Sequence, residues 1–140
     1  MRDIEILLRI FAMLYEVDNY SSSMAKFLNF FSKKAKTFSL EQNTFSQDIF
    51  TSFINATKSI PENSFINKTG KFSITILESV FAATCEKAFK ANSTIIGNIE
   101  LDTLDKLRLD AKFLDYSQAQ STNKSNVDGR LARAKEILNS

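Results

Sequence analysis

The 140-residue sequence has no histidine and no tryptophan, one cysteine, one proline and three glycines. Each scarcity removes a class of explanation. Without histidine there is no Ser-His-Asp or Cys-His nucleophile system, no His-ligated zinc or haem, and no imidazole acid–base chemistry. The single Cys85 excludes an internal disulfide framework and any multi-thiolate metal site. So little glycine and proline argues against turn-dense all-β folds, whose chain reversals depend on both. Neither G-x4-G-K-[ST] nor G-x-G-x-x-G occurs, and Gly70-Lys71 alone does not make a phosphate-cradling loop. What remains open is carboxylate chemistry or no chemistry.

What is present suits a helical core. The chain is 44% hydrophobic and 24% charged, and 13 of its residues are phenylalanine, an ordinary balance for one globular domain of this length. The net charge of +2 is too small for a dedicated nucleic-acid binder, where basic residues dominate a face. The apolar start, RDIEILLRIFAMLYEV, is interrupted by Asp3, Glu5, Arg9 and Glu16, so it reads neither as a signal peptide nor as a membrane span. A cytoplasmic protein is expected.

Helical periodicity recurs along the chain, with no long period-two segment. A first helix, over about Arg2 to Asn19, is apolar nearly all round, with a narrow polar face of Arg2, Glu5, Arg9 and Glu16. The second, SSSMAKFLNFFSKKAK, starts at serine N-caps and puts Met24, Phe27, Leu28, Phe31, Ala35 and Phe38 on one stripe. Phe30 lies at the stripe edge. Ser39-Leu-Glu-Gln42 is a capping box opening a third helix that stops at Pro61. After a loop over 61–72, a fourth helix runs from near Ser73 to Ala91. A fifth covers roughly Leu101–Tyr116. A polar, flexible link at 117–125 leads to a sixth that ends near Asn139. The expectation is one all-α domain over 1–140: a bundle of five or six helices, with a three-helix first half (1–60), the loop, and a second half (73–140).

Two charges intrude on apolar stripes, Glu78 in the fourth helix and Arg130 in the last. Burying either alone is costly, so each needs a partner. The simplest arrangement pairs them, with Arg9 or Arg2 as competing partners for Glu78. Glu5 and Arg9, spaced i, i+4 with the acid first, form a second structural pair worth about 0.3–0.5 kcal/mol. Glu78, or the aspartates of the fifth helix, is also the candidate for a carboxylate enzyme. Glu100, Asp102, Asp105 and Asp110 form an acidic patch. Interleaved Lys106, Arg108 and Lys112 make it a salt-bridged face rather than a metal site. Neither a metal nor a cofactor is expected. Lys26, Lys33, Lys34 and Lys36, and separately Arg133 and Lys135 beside Arg130, are the basic clusters that could meet phosphates, provided they share a face.

Several of these stretches, in order, resemble one family. Arg2-Asp3-x-Glu5-x-x-Leu8-Arg9-x-x-Ala12 is followed by Tyr20-x-x-Ser23-Met24-x-Lys26-Phe27-Leu28-Asn29. Next come Gly70-Lys71-Phe72 with Ile76-Leu77-Glu78-Ser79. The tail is Val127-x-x-Arg130-Leu131-x-x-Ala134-x-x-Ile137-Leu138. Together they are similar to the C-terminal helical region of GmrSD-type bacterial restriction and defence proteins. Those carry a ParB/sulfiredoxin-like nucleotide-hydrolysing domain at their N-terminus. The family's catalytic Asp-Gly-Gln-Gln-Arg type motif does not occur here, and a His-Asn-His nuclease is impossible without histidine. The resemblance therefore implies a non-enzymatic interaction or scaffold domain, detached as a fragment, a split-gene subunit or a truncated paralogue. The implied partner is a protein carrying the nucleotidase domain, or a second copy, with DNA as a further ligand and no membrane. Such a domain should expose apolar surface beside the first helix.

Overall fold

The computed structural model describes residues 2–139, with side chains from residue 3 onward. The alternative partner Arg2 thus lies outside the described side chains. Among the described residues seven α-helices follow in order: α1 Arg2–Glu16, α2 Met24–Ala35, α3 Leu40–Ala56, α4 Ile74–Lys90, α5 Leu101–Arg108, α6 Ala111–Gln118 and α7 Lys124–Leu138. A 3₁₀ turn, Val17–Asn19, closes α1. Extended pairing among the described residues is limited to one isolated bridge, Ile66 with Phe72. The fold is all-α, with one or two more helices than the sequence suggested.

The helix starts are set by local hydrogen bonds. The hydroxyl of Ser23 accepts from the Lys26 N–H, and that of Ser73 from the Ile76 N–H. At α3 the capping box is complete: Ser39 Oγ accepts from Gln42 N at 3.1 Å, and Ser39 N donates back to Gln42 Oε1 at 2.8 Å. Asp110 explains the extra helix. Its carboxylate accepts from Phe113 N at 2.9 Å while its own backbone is extended (ψ 127°). An N-cap at that position ends one helix and starts another. The expected continuous fifth helix is therefore two, and the phase changes across the break. Phe113 is buried in place of Ala111, and Leu109 at the joint is more than half exposed.

α4 is the central helix, packed by α1, α3 and α7. Ile76, Glu78 through Ala83, and Cys85 are all buried, so it shows no single stripe. The small side chains of Ser79, Ala82 and Ala83 admit neighbours on several sides. α2 lies on α1, while α5 and α6 lie on α7. The phenylalanines link these layers. Phe81 of α4 packs edge-on against Phe11 of α1 (centroids 5.5 Å) and Phe53 of α3 (4.9 Å). Tyr15 lies 4.5 Å from Phe89 and 5.6 Å from Phe38. Rings in such tilted and edge-to-face contacts add about 0.5–1.5 kcal/mol per pair beyond area burial.

Candidate functional site

Where α1, α4 and α7 meet, Glu78 and Arg130 are both fully buried. Arg130 Nη2 donates to Glu78 Oε1 at 2.8 Å. Arg9 reaches the same carboxylate from α1, with Nε on Oε2 at 2.5 Å and Nη2 on Oε1 at 3.1 Å. The two partners considered as competitors for Glu78 thus bind it together. One carboxylate between two guanidiniums leaves an excess positive charge, and backbone dipoles face it. Arg130 Nη1 donates to the carbonyl of Tyr116, in the last turn of α6, at 3.4 Å and also to that of Ser121. The C-terminal end of a helix is its negative pole.

This arrangement changes three sequence expectations. Arg9 does not pair with Glu5; it turns inward to Glu78, while Glu5 is exposed. An i, i+4 pair at the surface offers only tenths of a kcal/mol, and a buried carboxylate attracts the same guanidinium far more strongly. Glu16, placed on the polar face of the first helix, is also buried, accepting from Asn19 Nδ2 at 2.6 Å and from Lys34 Nζ. The link at 117–125 is not a free tether: Ser121 is held by Arg130, and the Thr122 carbonyl accepts from the buried Tyr20 hydroxyl.

The basic residues divide by what they bind. Lys34 is taken by Glu16. Lys135 meets Glu86 of α4 at 2.5 Å. Arg133 grips Asp110 with two bonds, at 2.7 and 2.8 Å, and also reaches Glu136 at 2.9 Å. The Arg133 hydrogen bonds hold the Asp110 carboxyl down at about 2, below the usual carboxylate range. Arg133 thus holds the N-cap of α6, and Lys135 holds α4. Lys26 and Lys33 on α2, and Lys36 just past its end, are exposed and enter no ion pair among the described residues. Phe30 is 46% exposed, with Lys34 Nζ 6.0 Å from its ring centre. In the acidic patch, Asp105 pairs with Arg108 at 2.7 Å. Among the described residues no three acidic or thiol side chains come together as a metal cage.

Beside α1 lies an apolar groove of about 290 Å³. Ile4, Leu7, Leu8 and Phe11 form one wall, Phe31 and Ala35 of α2 with Phe38 beyond it form the other, and Asn43 and Ser46 of α3 close one edge. Ile4 is 65% and Leu7 39% exposed. Sequence periodicity, apolar nearly all round, placed neighbours on several sides of α1, but Ile4 and Leu7 stay exposed where the groove opens. Tyr15 packs against three of the lining rings, Phe11, Phe31 and Phe38, and hydrogen-bonds to Ser46 Oγ.

The wheel pattern alone could not reveal this groove. It appears only once residues of α1, α2 and α3 are brought together. No family model matches the chain, and comparison with curated proteins and with solved structures gave no match.

Proposed function

We propose that this chain is a non-enzymatic helical interaction domain, of the kind that forms the C-terminal region of GmrSD-type defence proteins, and that it acts in the cytoplasm. The groove beside α1 carries the proposal: exposed Ile4 and Leu7 beside the rings of Phe11, Phe31 and Phe38 are what a docking surface requires. Enzyme chemistry has little support. Glu78, the strongest carboxylate candidate, has no exposed surface, and both of its oxygens accept from arginines. Asp110 and Asp105 are likewise engaged in ion pairs. A second reading, nucleic-acid binding, draws on Lys26, Lys33 and Lys36 alone.

The test is association with a GmrSD-type nucleotidase domain produced separately. Sedimentation should show a complex with the unaltered chain and none with Leu7→Glu, whose circular dichroism should keep the parent's helical content because Leu7 is 39% exposed and a glutamate there can turn to water. A complex that survives Leu7→Glu, or no complex with either protein, defeats the proposal.

A further inference from the structure

The side of α4 that holds Glu78 continues at four-residue spacing through Ala82 to Glu86. There residues of α1, α4 and α7 surround a cavity of about 140 Å³. Its floor is apolar and buried, with Met13 from α1, Ala82 from α4 and Leu131 from α7. Its mouth is charged. Asp18 stands exposed in the 3₁₀ turn that closes α1, Glu86 and Lys90 come from α4, and Lys135 comes from α7. We propose that this cavity binds a small α-amino acid, its apolar side chain on the floor and its two charged ends at the mouth.

Size and charge each restrict the ligand. An apolar cavity of about 150 Å³ takes a group the size of benzene, so a branched aliphatic side chain fits the floor. Between helices of a bundle, such a pocket takes its specificity from a few polar groups. Here Glu86 receives one ammonium on each oxygen, Lys90 at 2.9 Å and Lys135 at 2.5 Å. A lysine ammonium has three N–H donors, so both lysines keep donors for a ligand carboxylate. Asp18 enters no ion pair among the described residues and is the acceptor for a ligand ammonium. Its charge is felt at the mouth: the Glu86 hydrogen bond first, and the Asp18 charge with it, hold the Lys90 pKa above its ordinary value. Two acids and two bases make the mouth neutral. A zwitterion keeps it neutral and matches every group. A carboxylate alone adds a negative charge beside an unmatched Asp18, and an amine alone adds a positive charge beside two lysines.

Methyl NMR spectra of the full chain, titrated with L-leucine and with its two halves, isocaproate and isoamylamine, test this. Leucine should shift the methyl signals of Met13, Ala82 and Leu131, with an affinity at least tenfold above that of either half. Asp18→Asn, a change at an exposed position, should weaken leucine about tenfold and leave isocaproate as tight or tighter. Isocaproate matching leucine in the parent protein, or Asp18→Asn leaving leucine unchanged, overturns the zwitterion. No shift with any of the three, or shifts confined to Leu7 and Leu8 in the groove, overturns the cavity as a binding site.

Discussion

At the scale of single residues, the Glu78 carboxylate balances two guanidiniums, and the three members are not equivalent. Replacing Glu78 by glutamine leaves two buried positive charges, and the expected loss is about 3–5 kcal/mol. Arg130→Met should cost less, because Arg9 still neutralises the acid and the Arg130 Nε, buried without a hydrogen-bond partner, disappears with it. Arg9→Met should cost least, since its side chain is 14% exposed and water can enter. Urea unfolding gives this order directly, and the triple change to apolar residues should recover part of the Glu78→Gln loss. Asp110 predicts a pH dependence. With the carboxyl at about 2 in the folded chain and near 3.9 when unfolded, only the unfolded form takes up a proton between roughly pH 4 and pH 2. Stability present above about pH 4 is therefore lost as pH falls through that window. Asp110→Asn should flatten this part of the pH–stability curve, and an unchanged acid limb would refute the assignment.

At the scale of helices, the α6–α7 contact depends on a missing side chain. A Cβ on Gly129 would lie 2.5 Å from the Tyr116 ring, which occupies the space that a side chain there would need. Gly129→Ala should destabilise by about 1–3 kcal/mol despite alanine's better helix propensity. Adding Tyr116→Ala should remove most of that penalty in a double-mutant cycle, and additive losses would show that the ring is not the obstacle. Helix starts were legible because serine caps and the capping box act within four residues. Glu78 and Arg130 stood out because charges on apolar stripes demand partners. The α5–α6 break was written in Asp110, yet the same aspartate also fits a surface charge in an unbroken helix. Arg9 was harder still. On a helix apolar nearly all round, sequence does not say which side faces inward; only α4 and α7 decide that. The groove was legible as an expectation of exposed apolar surface, while its walls depend on how residues of α1, α2 and α3 come together.

At the scale of the whole molecule, stability should be shared across one core, because α4 touches elements from both halves of the sequence. Cys85 reports on this. It is fully buried on α4, and burial pushes its thiol up to about 12. In the native protein a thiol reagent should react at a rate set by global opening, far slower than a free thiol. Glu78→Gln should speed labelling in proportion to its loss of stability. Rapid labelling of the parent protein would mean that α4 is reached by local motion instead.

The Arg9–Glu78–Arg130 cluster also imposes an order on biosynthesis. A ribosome adding about 5–20 residues per second delivers Arg9 and Glu78 well before Arg130, 52 residues after the acid. A nascent chain can form the one-to-one pair while α7 is still unmade, with the central helix lacking one of its walls. The last helix then arrives carrying a second positive charge, together with the carbonyls of Tyr116 and Ser121 that help accommodate it. A chain interrupted before Arg130 would expose the apolar flank of α4 and be a natural target for chaperones and proteases.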